Sequence, residues 1–375
     1  MAERTAPAII RGLRRYSRHL LIPEVGVEGQ RRLERSRVLC VGAGGLGSPV
    51  LQYLAAAGVG RIGIVDDDTV DESNLQRQTI FTTADVGSPK ALTAAEHVRA
   101  INPLVNVDVF PVRLDARNAR DLVRPYDVVV DCTDRFSSRY AINDACWFEQ
   151  KPDVYASIFR FDGQVSVFWR DRGPCYRCLF PQAPPAGSVP TCAEGGVLGV
   201  LAGIVGTWQA NEALKIAIGA GEPLAGRLML IDALGAHVRE FAIERDPQCA
   251  LCGENATIGD VAEMQETDPA RDAGVREIGA ELLDAALREA TLLDVREPHE
   301  AVLGVLDGAL HIPLSELPGR LWELDSAHSY VVACRVGSKS VAAAQLLRDA
   351  GFLRVAHLRG GLLAYAALDP GFAFF

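Results

Sequence analysis

The sequence predicts an α/β protein in which a doubly wound sheet is followed by a second, smaller α/β domain. Residues 38–57 combine an apolar strand, a glycine-rich turn and a helical pattern, and further apolar strands end in Asp66 and Asp131. This succession is typical of βαβ units and a parallel sheet. A new α/β pattern begins near Arg276, after a stretch in which the hydrophobic periodicity fades. We therefore expect two domains, each with its own core.

The first domain is predicted over residues 1–255. After the first strand and helix, further strands are predicted at residues 61–66, 126–131, 164–169, 226–232 and 237–243. The last strand is expected to pair antiparallel with the one before it, because only a short turn separates them. The proline-rich residues 181–190 predict a loop.

Residues 256–274 predict a linker, and residues 275–375 predict the second domain. The linker is rich in Gly, Asp, Glu, Thr and Ala and lacks periodicity. The elements predicted after it are a helix from Arg276, strands at 291–295 and 330–334, a helix at 338–350 and a closing segment at 354–366. About 100 residues are enough for one small domain.

The composition excludes several classes of protein. The 375 residues include 38 Lys and Arg against 48 Asp and Glu, and a net charge of −10 is unfavourable for binding nucleic acid. No run approaches the ~20 apolar residues of a membrane span, and the N-terminus lacks the apolar core of a secretion signal. We therefore expect a cytoplasmic protein with no membrane partner. Its nine cysteines are then expected to be metal ligands, catalytic thiols or core residues rather than disulfides.

A nucleotide site is predicted at the turn Gly42-Ala-Gly-Gly-Leu-Gly47. The glycines Gly42, Gly44, Gly45 and Gly47 permit a tight turn and a close approach of phosphate to the N–H groups of the following helix. Asp66 ends the next strand 19 residues after Gly47, where a carboxylate can accept a hydrogen bond from a ribose hydroxyl. Taken alone, this pattern is typical of NAD binding.

The residues that follow favour a triphosphate over a nicotinamide. Asn74 and Arg77 come shortly after the strand that ends in Asp66, and Lys90 stands at a predicted helix start. Asp134 follows another strand, at the edge of the sheet where ligands bind. Two cations and a spare carboxylate suit ATP and Mg²⁺, because the charge of a polyphosphate must be offset.

Four dispersed motifs carry a resemblance to a known family. They are Arg15-Tyr-Ser-Arg-His19, the glycine-rich turn, Ser73-Asn-Leu-Gln-Arg-Gln78 and Asp131-Cys-Thr-Asp134. Over about residues 14–253 the chain resembles the ubiquitin-activating-type adenylyltransferases of sulfur-carrier proteins. The resemblance implies a Rossmann-like domain that adenylates the C-terminal Gly-Gly carboxylate of a ubiquitin-like carrier and releases pyrophosphate.

The resemblance also implies the roles of individual residues. Those assigned to ATP are Asp66 for the ribose, Ser73 and Asn74 in the pocket, and Arg77 and Lys90 for the phosphates. Asp134 would bind Mg²⁺. Arg18 would reach the phosphates from a partner subunit, which implies a homodimer.

Nearly all of the cysteines outside the second domain can be sorted by their surroundings. Two Cys-x-x-Cys pairs favour a closed, tetrahedral zinc site, and their members are Cys175, Cys178, Cys249 and Cys252. Cys192 follows the proline-rich loop, and the resemblance implies that it receives the activated carrier as a thioester or acyl disulfide. Cys40, Cys132 and Cys146 lie among apolar residues and are predicted to belong to the core.

The second domain contains a predicted reactive thiol. Cys334 lies between a strand and a helix, where N–H groups can converge on its sulfur and stabilise a thiolate or a persulfide. Three motifs accompany it: Leu293-Asp-Val-Arg-Glu297, His311-Ile-Pro-Leu314 and Leu358-Arg-Gly-Gly-Leu362. Together they resemble rhodanese domains, which implies sulfur transfer through a Cys334 persulfide. Lys339 stands where such loops usually carry Arg, so the charge is kept but the planar fork of donors is lost.

The sequence thus predicts an enzyme that adenylates a Gly-Gly-ended sulfur carrier and then transfers sulfur from Cys334 to give a protein thiocarboxylate. The expected sulfur donor is thiosulfate or the persulfide of a cysteine desulfurase. Molybdopterin, thiamine, cysteine, tRNA-thiolation and secondary-metabolite pathways all use related activators, and the sequence does not distinguish among them. An NAD-dependent oxidoreductase and a non-catalytic nucleotide-sensing scaffold remain as alternatives.

Overall fold

The computed structural model describes residues 12–184, 195–264, 274–302, 304–369 and 372. The chain divides into two compact units, Met1–Ala183 with Gly196–Gln265, and Pro184–Gly195 with Glu266–Phe375. The linker over residues 256–274 and the domain bounds at 255 and 275 stay predictions. Among the described residues, no helix combines the length and the apolar character needed to cross a bilayer.

The first unit is built on an eight-stranded sheet. Its strands are β1 (Arg37–Val41), β2 (Arg61–Val65), β3 (Asn106–Phe110), β4 (Val128–Asp131), β5 (Asp153–Phe159), β6 (Asp162–Phe168), β7 (Arg227–Asp232) and β8 (His237–Ala242). Their order in the sheet is β3-β2-β1-β4-β5-β6-β7-β8. Strands β1 to β5 are parallel, and β6, β7 and β8 continue the sheet in the antiparallel sense.

Helices cover both faces of the parallel part of this sheet. They are α1 (Ser17–Leu20), α2 (Gly26–Arg35), α3 (Gly47–Ala57), α4 (Lys90–Ile101), α5 (Ala119–Val123), α6 (Phe136–Phe148), α7 (Tyr176–Leu179) and α8 (Gly199–Ile218), with 3-10 turns at Glu72–Asn74 and Thr83–Asp85. Val38 and Cys40 of β1 pack in one apolar cluster, whereas Leu39 and Val41 pack in another. Successive side chains of a strand point to opposite faces, so β1 is buried on both. The predicted doubly wound architecture is confirmed.

The second unit contains a five-stranded sheet that is parallel throughout. Its strands are β9 (Arg276–Ile278), β10 (Thr291–Asp294), β11 (Leu310–His311), β12 (Tyr330–Ala333) and β13 (Val355–Leu358), in the order β11-β10-β12-β13-β9. Its helices are α9 (Leu283–Ala286), α10 (Pro298–Ala301), α11 (Leu317–Arg320), α12 (Ser338–Asp349) and α13 (Gly361–Ala366), with 3-10 turns at Ala280–Leu282 and Leu321–Glu323. The predicted small α/β domain is confirmed.

One predicted element is wrong. The helix expected from Arg276 is instead the edge strand β9, in which Ile278 pairs with Leu358 of β13. Ile278 is buried in an apolar cluster of the second unit, so pairing with the sheet outweighs the local helical preference. Gly279 follows Ile278 directly, and the next α-helix after β9 begins only at Leu283.

Candidate functional site

The glycine-rich turn is packed so closely that side chains cannot replace two of its glycines. Gly42 has a left-handed φ of +94°, and a Cβ there would lie 2.8 Å from the carbonyl oxygen of Cys132. A Cβ on Gly47 would lie 2.0 Å from the carbonyl oxygen of Gly42. Contacts of this kind exclude any residue except glycine. The turn therefore connects β1 to α3 in little space, and a ligand can approach its main chain closely.

Arg77 and Gln78 lie against the same turn. A Cβ on Gly45 would lie 3.4 Å from Cγ of Arg77, and a Cβ on Gly44 would lie 3.6 Å from Nε2 of Gln78. Gln78 is buried and donates to Oδ1 of Asn74 at 2.7 Å. The structure thus brings Asn74 and Arg77 beside the predicted phosphate turn.

Ser73 lies in the same segment, within the 3-10 turn Glu72–Asn74. Its N–H and hydroxyl donate to Oδ1 of Asp71, and its carbonyl accepts from the guanidinium of Arg77 at 3.2 Å. These bonds fix the predicted residues Ser73, Asn74 and Arg77 relative to one another.

Asp66 is tied to the turn through its carboxylate. Oδ2 accepts from the N–H of Ala43 at 2.8 Å, and Oδ1 accepts from the N–H of Asp68 at 2.9 Å. Burial raises the pKa of Asp66, and the nearby charge of Lys90 opposes this shift. The carboxylate expected to bind ribose is therefore held at the end of β2, next to the turn.

Lys90 is fixed at the same edge of the sheet. Its ammonium lies 3.1 Å from Oδ2 of Asp68, and its side chain is only 6% exposed. Its N–H donates to the carbonyl of Asp68 at 2.9 Å, where α4 begins. A buried cation near Asp66 can offset phosphate charge without first being ordered.

Asp134 follows β4, on the opposite side of the turn. Asp131 pairs in register with Val41, the residue before Gly42, so the two strand ends meet. The side chain of Asp131 is buried and accepts from the N–H and hydroxyl of Thr133 at 2.9 and 2.6 Å. Burial raises the pKa of Asp131, and the positive charge of nearby Arg139 opposes this shift. Asp134 itself is exposed at this edge, as a metal-binding carboxylate requires.

Arg139 is not among the residues predicted from the sequence, although it lies beside them. It is buried on α6 and donates to the carbonyl of Thr133 at 3.0 Å and to Oγ of Ser157 at 3.1 Å. Its guanidinium also stacks 5.5 Å from the ring centre of Tyr155. The signal that could have identified it is an arginine five positions after Asp134, directly before the largely apolar run Tyr140-Ala-Ile142.

Of the remaining predicted residues, the structure describes Arg18 but not Cys192. Arg18 is exposed on α1, and no side-chain hydrogen bond or ion pair connects it to any other described residue of the chain. Its expected action from a partner subunit remains a prediction. Cys192 lies outside the described residues. Cys40, Cys132 and Cys146 are buried, which confirms their assignment to the core.

The four cysteines predicted to bind zinc come together. Their sulfur atoms lie within 4.8 Å of one another, with Sγ separations of 3.8 Å (Cys175–Cys178), 3.5 Å (Cys175–Cys249) and 3.2 Å (Cys178–Cys252). Four Zn–S bonds of about 2.3 Å in a tetrahedron would separate the sulfurs by about 3.8 Å. The cluster therefore fits a tetrahedral ion with thiolate ligands.

Helix α6 supports the first cysteine pair. Arg177, between the two cysteines, makes two hydrogen bonds of 2.7 Å to the carboxylate of Asp144. Oδ1 of Asn143 accepts from the N–H of Tyr176 at 2.7 Å. Burial by itself would lower the pKa of Arg177, but the hydrogen bonds to Asp144, the charge of Asp144 and smaller charge effects of neighbouring groups together raise the pKa. The loop is thus held by the protein as well as by the cysteines.

In the second unit, Cys334 lies at the start of a loop between β12 and α12. Its Sγ accepts from the N–H of Gly337 at 3.2 Å, and Gly337 has a left-handed φ of +102°. The carbonyl of Cys334 accepts from the N–H of Leu362 at 2.9 Å. A Cβ on Gly361 would lie 2.5 Å from that same carbonyl oxygen. These main-chain groups help to shape a loop that can stabilise a sulfur anion.

Comparisons with known proteins identify the families of both domains. The sequence matches the ThiF family over residues 16–251 and the Rhodanese-like domain over residues 279–368. It is 55% identical over 250 residues to a protein of Thermus thermophilus named sulfur carrier protein adenylyltransferase, covering 65% of this chain and 92% of that protein. The chain therefore belongs to the ThiF family, with a rhodanese-like domain at its C-terminal side.

Two relatives match nearly the whole chain. Probable adenylyltransferase/sulfurtransferase MoeZ of Mycobacterium tuberculosis is 46% identical, and the match covers 94% of this chain and 92% of MoeZ. Adenylyltransferase and sulfurtransferase MOCS3 of Mus musculus is 42% identical, with 95% and 86% covered. Among solved structures, Escherichia coli MccB is similar with a TM-score of 0.58 at 22% identity. The match covers 64% of this chain and 75% of that one, and the similarity is one of fold alone.

These matches confirm that the chain is an enzyme with an adenylyltransferase domain and a sulfurtransferase domain. They favour adenylation over the NAD-dependent oxidoreductase, and a catalytic role over a nucleotide-sensing scaffold. Membership of the ThiF family also implies the use of ATP.

Proposed function

We propose that this enzyme adenylates the C-terminal Gly-Gly carboxylate of a ubiquitin-like sulfur carrier and converts it to a thiocarboxylate. A carrier carboxylate oxygen attacks the α-phosphorus of ATP, and pyrophosphate leaves. The product is an acyl-adenylate, which is open to attack by sulfur. The names of the relatives, sulfur carrier protein adenylyltransferase and adenylyltransferase/sulfurtransferase, support this substrate class.

ATP binds among the groups around the glycine-rich turn. Asp66 accepts from the ribose, and the turn of Gly42, Gly44, Gly45 and Gly47 lies against the phosphates with Ser73 and Asn74 beside it. Arg77 and Lys90 offset the phosphate charge. Lys90 is nearly buried and already paired with Asp68, so its position is set before ATP binds. Arg18 is proposed to act from the partner subunit of a homodimer.

Two metal ions belong to the proposal, and the donor groups suit each of them. Asp134 offers an exposed carboxylate at the ligand edge of the sheet, and Mg²⁺ held there would neutralise phosphate charge. The sulfurs of Cys175, Cys178, Cys249 and Cys252 are spaced for Zn²⁺, which would cross-link two distant segments of the first unit.

Sulfur transfer proceeds through Cys334. A donor transfers a sulfane sulfur to its thiolate, giving a persulfide, and thiosulfate would release sulfite in this step. The terminal persulfide sulfur attacks the acyl-adenylate carbonyl, AMP leaves, and an acyl disulfide forms. A second thiolate, for which Cys192 is our candidate, attacks Sγ of Cys334 and releases the thiocarboxylate. A thiol reductant then reduces the Cys192–Cys334 disulfide.

The observation that carries the proposal is the meeting of Asp66, Lys90, Arg77 and Asp134 around one turn. We expect ATP–pyrophosphate exchange that requires Mg²⁺ and a carrier ending in Gly-Gly, and that disappears when the carrier lacks its last two residues. Asp134→Ala should abolish exchange, because the metal loses its carboxylate ligand. Asp121→Ala, which removes an exposed carboxylate from α5, is the matched control and should retain exchange.

Exchange by Asp134→Ala at the rate of Asp121→Ala would contradict the role of Asp134. Tight binding of NAD, without exchange in the presence of any Gly-Gly-ended carrier, would contradict the proposed function as a whole.

A further inference from the structure

The cation next to the Cys334 loop is already paired with a buried carboxylate. Nζ of Lys339 lies 2.7 Å from Oε2 of Glu300, which belongs to α10. Glu300 is 5% exposed, whereas the side chain of Lys339 is 28% exposed. The pair joins the start of α12, which follows Cys334, to a different helix of the second unit.

The surroundings of Glu300 indicate that this pair persists. Oε2 of Glu300 also accepts from the N–H of Glu297 at 2.7 Å, while Oε1 is buried without a hydrogen-bond partner among the described residues. The neighbouring guanidinium of Arg296 is bound by the carboxylate of Asp294 at 2.6–3.0 Å, so Lys339 supplies the cation that balances Glu300. A buried carboxylate is costly without such a cation, and we therefore expect the pair to remain closed.

We propose that Glu300 determines the choice of sulfur donor by neutralising Lys339, so that Cys334 takes sulfur from a persulfide of low charge rather than from the thiosulfate dianion. The proposal rests on the persulfide chemistry proposed above for Cys334.

The physical basis is the charge that a donor meets at the loop. Thiosulfate carries two negative charges, whereas a protonated alkyl persulfide carries none on its sulfurs. With Lys339 paired to Glu300, the two side chains contribute no net charge, and a dianion gains little from approaching them. In the favoured reaction, the Cys334 thiolate attacks the terminal sulfur of R–S–SH. The products are the Cys334 persulfide anion and R–SH, so atoms, charge and protons balance.

The test compares two donors on the full-length enzyme. Loading of Cys334 is followed by mass spectrometry as the gain of one sulfur, with thiosulfate or cysteine persulfide as the donor. Glu300→Gln keeps an acceptor for the N–H of Glu297 but leaves the charge of Lys339 unbalanced. We expect loading from thiosulfate to rise about tenfold and loading from cysteine persulfide to change less than about threefold, because the energy scales with donor charge.

The ratio of the two loading rates is the decisive quantity. A change in the reactivity of Cys334 or in the stability of the loop would move both rates together and leave their ratio unchanged. The gain with thiosulfate should also shrink as ionic strength rises. ATP–pyrophosphate exchange, which depends on the first unit, should be unaltered in the variant.

Two further variants complete the charge series. Lys339→Gln leaves Glu300 unbalanced and should lower the rate with thiosulfate below that of the wild type. Glu300→Gln combined with Lys339→Gln restores a net charge of zero and should return the ratio to the wild-type value. These variants keep the test decisive if one of the single substitutions unfolds the domain.

An unchanged donor ratio in Glu300→Gln, or a double variant that does not return to the wild-type ratio, would overturn this inference and leave the proposed function intact. If wild-type Cys334 gains sulfur from neither donor, both this inference and the proposed function would be overturned.

Discussion

The buried ion pair between Arg177 and Asp144 offers the sharpest test of how the cysteine cluster is held. Their side chains are 9% and 0% exposed, and the two hydrogen bonds between them both measure 2.7 Å. Asp144→Asn keeps the shape of the side chain and removes its charge. The buried guanidinium between Cys175 and Cys178 then loses the carboxylate to which it is hydrogen-bonded.

The expected cost follows from this geometry. Removing the charge of one partner from a buried pair costs about 3–5 kcal/mol, and the lower end applies because Asn still accepts one hydrogen bond. For a domain of this size, about 3 kcal/mol corresponds to a fall in Tm of roughly 6–12 °C. The exposed pair of Arg37 and Asp127, 46% and 40% exposed, is the matched control. Asp127→Asn should cost less than about 1 kcal/mol.

Calorimetry on the metal-loaded enzyme measures both variants, and a colorimetric chelator measures how fast each releases its metal. We expect Asp144→Asn to have a lower Tm than Asp127→Asn and to release its metal faster. Equal melting temperatures and equal release rates for the two variants would refute the view that this pair supports the cluster.

Three further predictions concern other parts of the molecule. Cys334→Ala should abolish persulfide formation and leave ATP–pyrophosphate exchange intact, and thiocarboxylate formed by this variant without free sulfide would contradict the role of Cys334. Burial beside Asp131 holds the pKa of Asp153 well above its usual range, so the folded protein binds this proton more tightly than the unfolded chain and loses stability as pH rises. As pH rises from 5 to 8, the free energy of unfolding of Asp153→Asn should therefore increase relative to that of the wild type by more than about 1 kcal/mol. Calorimetry that shows parallel pH profiles for the two proteins would count against this. Gln209→Leu should lower the free energy of unfolding, measured in urea, by about 2–5 kcal/mol. The Gln209 amide donates to the carbonyls of Asp131 and Val154 at 2.6 and 3.0 Å, and leucine removes both donors. A loss below about 1 kcal/mol would show that water replaces the amide.

Much of the first site could be predicted from sequence because its residues follow the ends of parallel strands. Asp66 follows β2 and Asp134 follows β4, and such ends meet at one edge of a sheet. The paired spacing of the cysteines is equally informative, since four thiolates need to converge on one point.

The remaining features depend on contacts between residues that are distant along the chain. Arg139 is recognisable only once the sheet places Thr133 and Ser157 beside it. Glu300 is separated from Lys339 by 39 residues, and no local pattern links them. The strand at Arg276 could not be predicted for the same reason, because its partner β13 lies about 80 residues further along.

The bonding of the Cys334 loop has a consequence for how such domains diverge. Its shape depends on main-chain groups, namely the N–H of Gly337 on sulfur and the N–H groups of Leu362 and Leu363 on the carbonyls of Cys334 and Arg335. Main-chain bonds survive when side chains are exchanged. Substitutions at positions such as Lys339 can therefore alter which molecules are accepted while the capacity to hold sulfur is inherited unchanged. Reactivity and selectivity are in this way open to separate evolutionary adjustment.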